Sequence, residues 1–304
     1  MWNTYNKKGE VMERKDILCG LEHVTIGPVQ RINNLHIVAL LTKKSARRSY
    51  EFLDEALSDG RAKLTELSDS GSVPRIKFVN YAKRPILMID GEELLGCKQN
   101  RILNLSVLAP MNKEIEIPVS CVERNRWSHS TREFEQSDNF EFAALKSVKM
   151  NSVSENLMAC RSAYSDQDAV WEEIDRKAQS LGSTSSSSAM DGIYKNNKEQ
   201  ISELLKKVKH VPNQIGCIFL KKDKVLGMEL FASNSFFKKY IKKILSGYLL
   251  DQLASNKDTR NLAKRYAQKN EELMNLLVRY KRHAEDIHDF CLSTLNIDRI
   301  SNQN

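Results

Sequence analysis

Along roughly the first 125 residues the apolar positions fall in short, strand-length runs; beyond about residue 140 they recur every three to four positions. That change of period predicts a β-rich first part and a helix-rich second part. Residues 21–41 read as two short strands joined by a turn, the second being the β-branched run LHIVALL. Ser49 to Gly60 has helical spacing, with Gly60 placed to end the helix. Further strands are predicted over Ala62–Leu67, Arg75–Asn80 and Ile86–Ile89. Ile102 to Leu108 alternates, with Leu103, Leu105 and Val107 on one face and Asn104 and Ser106 on the other. Its predicted partner, Ile115 to Val122, places Ile117, Val119, Cys121 and Glu123 on a common face, so the loop APMNKE closes a hairpin.

Residues 128–164 are polar and weakly helical around Phe142–Lys149 and Ser154–Cys160. A clearer helix starts at Ser165, which serves as its cap, and Gly182 stops it. The run SLGSTSSSSAM reads as a flexible loop. A helix over Asn197–Lys209 precedes the clearest hairpin of the chain, Gln214 to Phe231, and a helix from Ser235 to about Ala254 follows it. From about Thr259, Leu273, Leu277, Tyr280, Ala284, Ile287 and Cys291 step 4-3-4-3-4, a short heptad seam suited to self-docking, dimerisation or a partner helix. The predicted fold class is therefore α+β: a mostly antiparallel sheet core with packed helices and an appended C-terminal helix. The organisation read from the pattern is an N-terminal extension (1–20), one domain (21–254) and a C-terminal helix and tail (255–304).

With 41% hydrophobic residues in 304, the chain can bury a core without staples. Its mean hydropathy of −0.49 and the lack of any 18-residue apolar run argue against a membrane span. Six scattered cysteines without a CxxC pair exclude a zinc ribbon and a small disulfide framework. No apolar leader precedes the first elements, and a reduced, cytoplasmic protein is expected. The net charge of +8 raises nucleic-acid binding. More than half of the lysines, however, lie from residue 195 onward, many of them on amphipathic helices, where a solvated face is the plainer account, and no basic motif is interleaved with aromatics. The excess still favours small anionic ligands.

Candidate chemistry concentrates between Arg84 and Trp127. GEELLGCK (Gly91–Lys98) nearly spells a phosphate loop, but the lysine comes one position late, Gln99 stands where a Ser or Thr would bind magnesium, and no helix follows. The glycines are therefore assigned to turns. Lys98, Arg101 and Arg126, beside Gln99 and Asn100, compose the lining of an anion-accepting pocket, because guanidinium forks match phosphate and carboxylate. Trp127 can stack on a base. Glu92 and Glu123 are candidates for a general base or a carboxylate on a divalent cation, with salt bridging to those cations as the alternative. Cys121 is the candidate nucleophile, against the commoner role of a buried structural thiol. No dedicated metal site is expected.

These blocks carry a resemblance. DEAL (Asp54–Leu57), SGSVP (Ser70–Pro74), DGEELLGCKQNR (Asp90–Arg101), NLSVL (Asn104–Leu108), IPVSCVE (Ile117–Glu123) with Arg126-Trp127, SDQDAVW (Ser165–Trp171) and VLGMELF with GYLLDQL resemble the ARG- and rhodanese-phosphatase-superfamily-associated protein domain family, where ARG denotes ADP-ribosylglycohydrolase. Cys97 departs from the smaller residue expected there. The resemblance spans residues 21–254 and implies a place near ADP-ribose, NAD-derived nucleotides or phosphate esters. It implies an anionic ligand of nucleotide or ADP-ribose type on Lys98, Arg101 and Arg126, oriented by Gln99 and Asn100, with hydrolysis open and the cofactor unknown. The rival reading is a non-catalytic interaction module acting through residues 259–291.

Overall fold

The structure, a computed structural model, describes residues 23–44, 49–221 and 224–253. In chain order the elements are β1 (Thr25–Ile32), β2 (Leu35–Leu41), β3 (Glu51–Phe52), α1 (Leu53–Ser58), β4 (Ala62–Thr65), β5 (Arg75–Asn80), β6 (Ile86–Met88), β7 (Glu92–Gly96), β8 (Arg101–Leu103), β9 (Val107–Ala109), β10 (Glu114–Cys121), β11 (Phe134–Phe140), α2 (Ala143–Met158), α3 (Gln167–Leu181), α4 (Met190–Asn196), α5 (Lys198–Leu205), β12 (Gln214–Lys221), β13 (Lys224–Leu230) and α6 (Asn234–Leu253). The protein is α+β with mainly antiparallel sheets. The heptad segment 259–291 lies outside the described residues.

Backbone contacts divide the chain into two units. Residues 49–198 hold a six-stranded sheet in the order β11-β7-β8-β10-β5-β4, every neighbour antiparallel, and a small sheet β3-β6-β9 in which β3 and β6 run parallel. Between the sheets lies a core of Leu64, Ile76, Phe78, Ile86, Met88, Leu94, Leu103 and Ile117, with Leu53 and Ala56 from α1. The other unit, residues 23–44 and 199–253, is the antiparallel sheet β1-β2-β12-β13. There α6 lays Tyr248 flat on Phe219, ring centroids 3.8 Å apart, and surrounds Phe231 with Phe236, Phe237 and Tyr240. Glu229 of β13 is buried and accepts from the Tyr248 hydroxyl at 2.9 Å.

Several elements differ from the pattern-based reading. The predicted helix over Ser49–Gly60 shrinks to α1, because Glu51 and Phe52 pair with Ile86 and Leu87 as β3. The predicted strand Ile102–Leu108 breaks into β8 and β9. Asn104 is buried and donates to Ala163 O (2.9 Å), and Ser106 accepts from Asp90 N (2.9 Å), so tertiary hydrogen bonds take over from the ladder. Leu103 and Val119 face each other as the hairpin requires, while β9 leaves to pair with β6. β7 and β11 carry too many polar residues to read as strands, since their acids and amides are consumed inside the fold. The cap of α3 is Asp166, accepting from Asp168 N and Ala169 N, rather than Ser165; Gly182 ends the helix in the left-handed region as expected. The helix predicted over Asn197–Lys209 is preceded by α4 and stops at Leu205.

Candidate functional site

The site grows from one sheet edge. Arg101 lies opposite Cys121 across β8 and β10, and opposite residues of a ladder point to the same face. Glu123 follows two positions later on that face, so Arg101, Cys121 and Glu123 share one side of the sheet. Gln99 ties them together: its Oε1 accepts from Arg101 Nη1 (3.1 Å) and the Cys121 thiol (3.1 Å), and its Nε2 donates to Glu123 O (2.8 Å).

The turn between β7 and β8 depends on Gly96, at φ 120°. A side chain there would collide with Thr131 Oγ1 and the Glu133 carbonyl. The carbonyls that this turn releases are collected by Arg126, whose Nη1 donates to Cys97 O (2.6 Å) and Ser128 O (2.9 Å). Its Nη2 reaches Gly96 O (3.3 Å), Asn100 Oδ1 (3.2 Å) and Glu123 Oε2 (2.5 Å). Glu123 also accepts from Asn100 N (3.0 Å) and from Ser187 Oγ (2.6 Å), and it forms an isolated β-bridge with Ala189. Burial alone pushes the Glu123 carboxyl up, but the bonds from Arg126, Ser187 and Asn100 outweigh it, so the group lies below its ordinary value and is an anion. Glu123 and Arg126 thus clamp three chain segments together.

That clamp forms one wall of a polar cleft of about 510 Å3, also lined by Gly96, Asn100, Ser130, the run Thr184–Ser187, and Asp191 and Lys195 of α4. Asp191 and Lys195 pair at 2.5 Å across one helical turn, and the Lys195 side chain is 72% exposed. Behind Asp191 lies Glu93. Asn139 Nδ2 donates to Glu93 Oε2 (3.2 Å) and to Asp191 Oδ1 (3.4 Å), linking the buried carboxyl to the cleft. Burial first, and the Asp191 charge second, push Glu93 up to about 8.

Of the residues singled out from the sequence, Asn100, Glu123 and Arg126 line the cleft. Arg101, Gln99 and Cys121 lie behind it in the same network. Arg101 is fully buried; among the described residues its Nε and Nη2 make no hydrogen bond, and Glu66 lies 3.9 Å from Nη2. Burial raises the Cys121 thiol, which Arg101 only partly offsets; the group is a neutral donor to Gln99 and Glu123 O rather than a thiolate. Lys98 binds the Ser70 carbonyl (2.9 Å) and lies over the Trp127 ring at 5.2 Å, leaving Trp127 48% exposed. Glu92 is taken up elsewhere: it accepts from Ile89 N (2.9 Å) and Gln136, because alternation along β7 turns it away from Glu93. Among the described residues no group of three or more His, Cys, Asp or Glu could hold a metal ion. No described helix is long and apolar enough to cross a membrane.

Sequence reasoning missed Asp191, Lys195 and Asn139 and took Thr184–Ser187 for a free loop. The available signal was the i,i+4 spacing of Asp191 and Lys195, which places opposite charges on one helix face. Gln167 was missed as well: its side chain exchanges two 2.8 Å bonds with the Cys121 backbone and so extends the sheet edge.

No curated protein and no solved structure matches this chain. Residues 23–293 match the model of the ARG and Rhodanese-Phosphatase-superfamily-associated Protein domain, a span that includes the segment after Leu253, and the chain belongs to that family.

Proposed function

We propose that the cleft binds a phosphate-bearing, polyhydroxylated ligand of ADP-ribose or NAD-derived type. The carrying observation is its mixed lining: one solvent-reaching cation, Lys195, beside the carboxylates of Asp191 and Glu135 and four consecutive hydroxyl residues. A purely anionic ligand would be repelled by Asp191. A ribosyl phosphate uses both, since its hydroxyls donate to a carboxylate while its phosphate accepts from an ammonium and from serine hydroxyls. The volume falls within the range of roughly 300–1,000 Å3 usual for small-molecule sites. The family's association with ADP-ribosylglycohydrolases points to the same ligand class.

In this reading Arg126 and Glu123 hold the wall and do not meet phosphate, because both Nη groups of Arg126 and both carboxylate oxygens of Glu123 already have partners within the protein. Asn100 belongs to the same clamp. Asp191 is the carboxylate placed to accept a proton from a ribose hydroxyl or from water. Trp127, next in the chain to the cleft-lining Arg126, offers a ring face to a base, with Lys98 and Arg101 beneath it.

Calorimetric titration with ADP-ribose, NAD, AMP and inorganic phosphate tests the proposal. Lys195→Ala is expected to weaken binding about tenfold or more, the worth of one charge-assisted hydrogen bond. The melting temperature should hardly change, since this side chain is mostly in water. Binding by none of the four, or equal binding by wild type and variant, removes the reading.

A further inference from the structure

Among the described residues large hydrophobic side chains are seldom exposed, and two of the exceptions lie on neighbouring turns. Tyr81 (57% exposed) follows β5, and Met111 (55% exposed) lies between β9 and β10. A single buried residue fixes both turns. Asn80 Nδ2 donates to Arg84 O (3.1 Å) on the first, and to Ala109 O (3.2 Å) and Pro110 O (2.9 Å) leading into the second. Asn80 N donates to Lys113 O (2.9 Å), and Asn80 Oδ1 accepts from Ala82 N (2.8 Å). The two tips are therefore held side by side by the end of the sheet.

Their charges are unlike those of the adjoining strands. On β4 and β5, and at Arg61 just before β4, the cations are matched: Arg61 with Glu51 and Asp59, Lys63 with Glu133, Arg75 with Glu116, and Lys77 with Glu114. On the two turns Lys83, Arg84 and Lys113 are exposed and make no ion pair among the described residues. Two apolar tips ringed by three unmatched cations form a patch that costs solubility and adds nothing to the core.

We propose that this patch docks on an anionic lipid surface. Tyr81 and Met111 stand beyond the ends of their strands and project, whereas a peptide or a nucleic-acid strand is commonly held in a groove. A lipid headgroup layer moulds itself to projecting tips. Tyrosine is at home at that boundary, with its ring in the apolar zone and its hydroxyl in water. Lys83, Arg84 and Lys113 lie where they meet headgroup phosphates and carboxylates. With three cations and two short apolar contacts, attachment is reversible and sensitive to salt.

Co-sedimentation of the full chain with vesicles tests this, using phosphatidylcholine alone or with about 30% phosphatidylserine, where each basic residue near the surface adds several-fold in affinity. Binding is expected only to the anionic vesicles and should fall as salt rises. Lys83→Glu/Arg84→Glu/Lys113→Glu should reduce it at least about tenfold, and Tyr81→Ser/Met111→Ser several-fold, with unchanged melting temperatures. Absence of wild-type binding overturns the proposal, as does binding that both variants leave intact. So does tighter binding of polyglutamate or an oligonucleotide than of vesicles through these same residues, which would assign the patch to a macromolecular partner.

Discussion

Lys149→Met is expected to destabilise the protein by about 3–5 kcal/mol at neutral pH, the usual consequence of removing one partner from a buried ionic cluster. The Lys149 side chain is fully buried, and its ammonium donates to Asp90 Oδ1 (2.5 Å), Glu141 Oε1 (2.8 Å) and Leu103 O (2.8 Å). One cation thus serves two buried carboxyls, whose other oxygens, Asp90 Oδ2 and Glu141 Oε2, have no hydrogen-bond partner among the described residues. Burial first, opposed by Lys149 and reinforced by the Asp90 charge, leaves Glu141 raised to about 7. Gly91, at φ 80°, makes room for the cluster, since a side chain there would strike the Glu141 carboxylate. Methionine fills the same volume without charge, so the loss reports the stranded carboxyls rather than a cavity. In the folded variant Glu141, raised by burial and without the Lys149 charge that draws it down, titrates above its unfolded value. Stability is then lost as pH rises from the ordinary carboxylate range, and acidification returns part of it. Urea unfolding at pH 5 and pH 8 checks this: a deficit below about 1 kcal/mol, or one that does not shrink at pH 5, would show that Lys149 does not hold the cluster.

Glu93→Gln should have the opposite sign. Glu93 lies near 8 in the fold and near 4.5 in a free chain. Between those values the folded protein keeps a proton that the unfolded chain releases, so stability falls as pH rises, by 1.36 kcal/mol per unit. The accumulated loss is about 3 kcal/mol at pH 7 and roughly 5 kcal/mol once pH passes 8. Glutamine keeps the acceptor for Ser137 and Asn139 and never ionises. The variant is therefore expected to match wild type near pH 4.5, to exceed it at pH 7–8, and to lose the slope across that window. A wild-type stability curve flat from pH 5 to 8 would place the proton elsewhere. Because Asn139 joins Glu93 to Asp191, ionisation above about 8 also sets a second negative charge behind the cleft. Binding of the phosphate-bearing ligand proposed above should weaken there in wild type and hold in the variant.

Elements whose partners are close along the chain are legible from the residue pattern alone. The 214–231 hairpin follows from two apolar runs around a short polar link, and α3 from a three-to-four spacing that ends at Gly182. The run Asp90–Arg101 with Ile117–Glu123 was legible as a polar cluster on strand ends, and the two blocks do meet: Gln99 reaches across to Arg101, Cys121 and Glu123. The positive φ at Gly91 and Gly96 likewise agrees with glycines placed for turns.

Which of those polar groups are consumed inside the fold depends on contacts between distant segments. Arg126 reads from sequence as a phosphate fork, yet the β7–β8 turn presents it with carbonyls that nothing local predicts. Glu92 and Glu93 are neighbours in the chain but opposite in direction, because a strand alternates its faces; one braces a turn and the other lies behind the cleft. The cleft itself joins Glu123 to Ser187, 64 residues on, and Glu93 to Asp191 through Asn139. Periodicity records which face a residue takes within its own element. It does not record which distant donor arrives first at a buried acceptor, and in this protein that competition sets the site.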